Sequence, residues 1–126
     1  DHNIKYLPLM RTIRLVRLIV FYEVQEHELI QYESRSITRS LSSPKEQTFK
    51  TERIILWFLN KRNIPILKKD REAFWEKLSP EIHELYNNKY ESQLLRLFDF
   101  TAWMESKIRK EKLSEVLRAR ASAKEC

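Results

Sequence analysis

The chain has 126 residues, 24 of them Lys or Arg and 18 Asp or Glu, for a formal charge of +6, with 42% hydrophobic and 33% charged side chains. That length and balance fit one globular domain, residues 1–126, and exclude a disordered chain. Glycine is absent, which excludes primed hairpin turns, and with them a β-meander, along with the dinucleotide fingerprint and the P-loop, whose phosphate cradles need backbone without Cβ.

Pro8 stands where a helix can begin, and Leu9, Ile13, Val16, Val20 and Val24 recur at the three-to-four spacing of one helix face. Leu15, Leu18, Ile19 and Phe21 widen the stripe until little but Arg11, Arg14 and Arg17 is polar, which predicts a helix buried on most sides. The run from Ile13 to Tyr22 is too short to span a bilayer and is not followed by a small-residue cleavage site. No membrane partner is expected, and the expected location is cytoplasmic. Because the chain starts at Asp1 without a methionine, it is read as the carboxyl-terminal part of a longer polypeptide.

After a short turn around Gln25 to His27, the positions Leu29, Ile30, Ile37 and Leu41 predict a second, antiparallel helix that ends at "SLSSP". A third is expected from near Lys45, carrying Phe49, Ile55, Leu56, Trp57, Phe58 and Leu59. It closes at "NKRNIP", because the residue before Pro65 is pushed out of the helical region. A fourth opens at Asp70, holds Phe74, Trp75 and Leu78, kinks or restarts at Ser79-Pro80-Glu81, and runs to about Tyr86. One long helix from about Glu91 through Ile108 follows, then a weakly amphipathic tail with Leu113, Val116 and Leu117.

Catalytic and metal chemistry find little support in these residues. His27-Glu28 and His83-Glu84 each resemble the start of a zinc-protease helix, but Gln31 and Asn87 occupy the positions where a second histidine would share the ion. The serines have no glycine with which to build a nucleophile elbow, and the spacing of Glu81 and Glu84 is what glutamate-rich helices show by chance. The one cysteine, Cys126, excludes an internal disulfide. No enzyme, metal or cofactor is expected. Asp99, set in the aromatic run "FDFTAWMESKI", has Arg96 and Trp103 in helical reach at three and four residues and is expected to bond one of them.

The segment "FYEVQEHELIQYESRSITRSLSSP", residues 21–44, resembles the end of one tetratricopeptide-type helix, its turn and the partner helix up to a closing proline. The block "LLRLFDFTAWMESKI" is similar to the closing helix of uncharacterised bacterial proteins built from such hairpins. This resemblance implies an all-α fold, a stack of antiparallel helical hairpins forming the end of an α-solenoid, with about five helices plus an amphipathic tail. "FDFTAWMESKI" would close its apolar edge.

A non-catalytic scaffold or protein-protein interaction module is the expected function, with a basic helical nucleic-acid-binding domain as the alternative. The expected contact residues are Arg11, Arg14 and Arg17, spread over part of one helix circumference, with Tyr22 and Tyr32. Arg109, Lys110, Lys112, Arg118 and Arg120 form a second basic stretch, diluted by Glu111 and Glu115.

Overall fold

The computed structural model describes residues 7–41, 50–60 and 64–125, and these form helices with no strand. Helix α1 spans Leu7–Glu23, α2 His27–Leu41, α3 Lys50–Asn60, α4 Lys68–Asn87, α5 Lys89–Leu97, α6 Phe100–Arg109 and α7 Leu113–Glu125. The expected start of the third helix near Lys45, and Phe49 with it, lie outside the described residues.

Among the described residues seven helices stand where about five and a tail were expected, and the excess has two local causes. Asp99 divides the expected helix by acting as an N-cap. Its carboxylate accepts from the Ala102 N–H at 3.1 Å, while Phe98 is extended, so the helix expected from Glu91 to Ile108 is two. The tail is itself a helix, entered through Lys110 in the left-handed region. Asn88 likewise caps α5, accepting from the N–H groups of Tyr90 and Glu91 at 2.9 and 3.1 Å. Pro80, by contrast, neither stops nor restarts α4: it sits on the exposed side, and the carbonyl it leaves without a helical partner belongs to Glu76, also exposed.

The connection between α1 and α2 shows what a chain without glycine does at a helix end. Gln25 takes φ 62°, its N–H donates to the Tyr22 carbonyl at 3.1 Å, and the Glu26 N–H donates to the Phe21 carbonyl at 2.8 Å. This is the paired closure that glycine normally serves, made here by a residue with a Cβ.

Helix α1 packs against α2, α3 and α5, and α6 against α3, α4 and α7. The packing therefore reaches beyond chain neighbours, unlike a one-dimensional stack in which each unit meets only the next. Tyr22, Phe58 and Trp103 bring α1, α3 and α6 together: Trp103 meets Tyr22 edge-on at 5.4 Å and Phe58 edge-on at 5.7 Å between ring centroids. Around them lie buried Leu15, Leu18, Ile55, Ile82, Leu94 and Met104. Every residue from Phe100 to Ser106 is buried. The stretch expected to close an edge is instead the middle of the core.

A second long-range tie joins α5 to α3. Buried Glu91 accepts from the backbone N–H groups of Lys50 and Thr51 at 3.0 and 3.1 Å, filling in the first turn of α3 the role of a capping side chain. Burial holds its carboxyl above the ordinary value against the opposing pull of those donors and of Lys50.

Two outcomes follow. Gln25→Gly removes the Cβ clash of the left-handed residue and should raise unfolding free energy by about 1 kcal/mol in urea titration. A carboxyl whose folded pKa is raised contributes most while protonated. The stability of the native chain relative to Glu91→Gln should therefore fall as pH rises through and above the ordinary carboxylate value, checked by urea unfolding of both proteins between about pH 4 and 7.

Candidate functional site

Helices α4, α5, α6 and α7 border a cleft of about 820 Å³, with Trp75, Ile82 and Leu95 among its apolar residues and His83, Arg96 and Arg120 among its polar ones. On one side of it lies a polar network built from three helices. The Tyr86 hydroxyl on α4 donates to Asp99 Oδ1 at 2.6 Å and meets the Thr101 hydroxyl. Arg120 on α7 donates through Nη1 to the Tyr86 hydroxyl at 2.7 Å and to Thr101 Oγ1 at 2.8 Å, and through Nη2 to Glu105 Oε1 at 2.7 Å. Its Nη1 also stands 3.4 Å from Asp99 Oδ2.

Burial and the neighbouring Asp99 push the Tyr86 phenol up to about 12, so it remains a protonated donor at neutral pH. Burial disfavours the charge of Arg120, yet the bond to Glu105 and the charges of Asp99 and Glu105 hold its pKa above the ordinary value. Glu105 is shared with Arg109, whose Nη1 lies 2.7 Å from Oε2 and whose Nε reaches Glu72 at 3.1 Å. Each cation in this network thus faces carboxylates inside the fold. The network pins α7 to the start of α6 and to α4.

Asp99 therefore bonds Tyr86, Thr101 and Arg120 rather than the expected Arg96 or Trp103. The Trp103 indole donates instead to Glu23 Oε1 at 2.9 Å, where Lys107 Nζ also sits at 2.6 Å. Burial raises and these two partners lower the Glu23 pKa, and the partners prevail.

The five expected contact residues are scattered by the structure. Arg11 is 3% exposed and pairs with fully buried Glu52 at 3.2 Å; Arg14 Nη2 lies 3.6 Å from the same carboxylate. Arg17 is exposed and bonds Glu33 of α2 at 2.9 Å. Tyr22 belongs to the aromatic junction, and its remaining exposed part lines a second cleft of about 800 Å³ with His27, Gln31 and Asn60. Tyr32 is exposed on α2. The arginine stripe is mostly an internal ion-pair system because Glu52 and Glu33 meet it from α3 and α2.

Sequence reasoning passed over Tyr86, Thr101, Glu105, Glu52 and Glu91. Three ties carried a local signal: Glu105 stands four residues before Arg109, and Asp99 stands two residues before Thr101, whose hydroxyl it accepts from, and three before the N–H it caps. The remainder join residues on different helices. Among the described residues no group of His, Cys, Asp and Glu has the arrangement to hold a metal ion. Comparison with protein-family models, with curated proteins and with solved structures finds no match.

The two classes of arginine contact differ in cost. Glu52→Gln leaves Arg11 buried opposite a neutral amide and should destabilise the fold by about 3–5 kcal/mol, whereas Arg17→Ala, which breaks an exposed pair, should cost under about 1 kcal/mol, both read from chemical denaturation.

Proposed function

We propose that this chain is a non-catalytic helical interaction module whose docking face is the outer side of α1. The observation that carries the reading is the exposure of that side. Leu9, Met10, Ile13, Val20 and Val24 all stand open to solvent, Met10 and Val24 at 61% and 60%, while the opposite side, Leu15, Leu18 and Ile19, fills the core. Residues 9, 13, 20 and 24 share an arc at 100° per residue, and together they run about 22 Å along the helix. A contiguous apolar strip of that kind on a folded chain marks an interaction surface.

Its shape suits a protein partner that lays an amphipathic helix alongside, reading the i, i+4 spacing with its own apolar side chains. Arg17 and Tyr32 offer polar and aromatic contacts near such a partner's edges, in keeping with their place among the expected contact residues. Arg11, Arg14 and Tyr22 act behind the face, holding α1 to α3 and α6. The helical-hairpin relationship to tetratricopeptide-type proteins is part of this proposal: α1 and α2, joined by three residues and packed together, support it. The contact of α1 with α5 sets this chain apart from a strict solenoid end.

A photo-crosslinking residue placed at Ile13 in the chain expressed in its own cells should yield a defined protein adduct. The adduct should be absent when the crosslinker sits at exposed Gln93 on α5, and lost from Ile13 when Val20→Glu is added. Val20→Glu itself should change stability by no more than about 0.5 kcal/mol, because the site is half open. Adducts to nucleic acid would favour the basic-domain alternative, and the same adducts from Ile13 and Gln93 would overturn the reading.

A further inference from the structure

The cleft bordered by α4, α5, α6 and α7 shares no residue with the α1 strip, and its polar side chains fall into two groups. Asp99, Glu105, Tyr86 and Arg120 satisfy one another on one side of it. Trp75, His83 and Arg96 line the same cleft, and among the described residues their side chains make no hydrogen bond or ion pair. For Arg96 the cause is local. It sits in the last turn of α5, and Asp99 is the one acid within three or four residues of it. That carboxylate has turned instead to cap α6 and to meet Tyr86 and Arg120.

The unpartnered groups are of one kind. An indole N–H and a guanidinium are donors only, and an imidazole donates from one nitrogen in either tautomer. The two carboxylates lining the cleft are already met by Arg120, and Glu105 by Arg109 as well. A ligand that satisfies this cleft therefore brings acceptors, and a guanidinium is best matched by a planar oxyanion that takes two N–H groups at once. The apolar residues add a second requirement. Ile82 and Leu95, 3% and 5% exposed, seat the cleft on the core, and partly buried Trp75 offers an indole to an aromatic ring. Among the described residues no helix is long and apolar enough to cross a membrane, so Ile82 and Leu95 are not part of a membrane-spanning face. A volume of about 820 Å³ is that of a small-molecule site with room for two fused rings.

We propose that this cleft binds a small planar aromatic carboxylate, with Arg96 and His83 donating to the carboxylate and Trp75, Ile82 and Leu95 against the ring. The charge balance sets a carboxylate above a phosphate. Of the two arginines lining the cleft, Arg120 is paired and Arg96 is not, so one negative charge is matched. A phosphate monoester, with close to two charges at neutral pH, would leave the second unmatched in a cleft that Asp99 and Glu105 also line. The polar network has a positioning part in this. By holding both carboxylates, Arg120 keeps them from Arg96, and it fixes α7 as one border of the site.

The test is isothermal titration calorimetry of the 126-residue chain with 2-naphthoate, its neutral counterpart 2-naphthamide, and 2-naphthyl phosphate. The carboxylate should bind at a single site and at least about tenfold more tightly than the amide. Arg96→Gln should erase that preference, whereas Arg118→Gln, exposed on α7 and outside the cleft, should leave it intact. Ala123→Trp, at an exposed position lining the cleft, should block 2-naphthoate by filling the space. Circular dichroism of all three variants should match the native chain, because each replaced side chain is exposed. No binding of 2-naphthoate at millimolar concentration overturns the proposal. So does equal affinity for the amide, and so does a preference that survives Arg96→Gln. Binding that persists in Ala123→Trp overturns the assignment to this cleft, and tighter binding of the phosphate overturns the choice of a singly charged ligand.

Discussion

The fold turns on one aromatic contact. Trp103 meets Tyr22 and Phe58 edge-on, and because the three rings come from α6, α1 and α3, a single junction sets the distances among helices far apart in the chain. The geometry places the positive edge of one ring against the negative face of another, which constrains orientation as well as spacing. The Trp103 indole N–H, which burial would otherwise leave unpaired, reaches Glu23 at the end of α1, so the junction also fixes the register of α1 over α6. With Trp103 held there, the rest of α6 is surrounded, and α3, α4 and α7 pack against it.

Buried charge then makes the arrangement specific. Glu52 faces Arg11 and Arg14 across the α1–α3 contact, and Glu91 holds the first turn of α3 from α5. Replacing these pairs with apolar groups of similar shape need not cost stability, but a competing packing that separates them leaves a charge stranded without water. The Asp99, Tyr86, Thr101 and Arg120 network does the same for α7, and its carboxylates absorb cations that would otherwise mark a basic surface. These ion pairs are thus directed inward. The side chains that face outward include exposed lysines and arginines and the apolar strip along α1.

Much of the architecture was legible in the residues. Periodic apolar positions located α1, α2, α3 and α4 to within a few residues where they are described, and the absence of glycine correctly pointed away from strands. The α1–α2 turn fell where it was expected, although no local rule foretold that Gln25 would adopt the left-handed conformation. The division between α5 and α6 was missed because Phe98 and Phe100 continue the helical spacing through Asp99, so periodicity masked the cap. The candidate site was much less legible. Three arginines at helical spacing look alike in the sequence whether they face solvent or an acid, and nothing near Glu52 in the chain says that it opposes them.

By itself the sequence determined that the chain is helical, where most of its helices lie, and that its charges lack the spacing of a zinc-protease motif. Those properties depend on interactions within a few residues, and local spacing encodes them. Only the tertiary structure decided which side of α1 is inside. The helix is apolar nearly all round, so burying Leu15 and Leu18 or burying Leu9 and Ile13 serves its own pattern equally, and the choice falls to the acid on α3 that Arg11 must reach and to the rings on α3 and α6 that Tyr22 must meet. The side that neither tie requires, with Leu9, Ile13, Val20 and Val24, is left exposed.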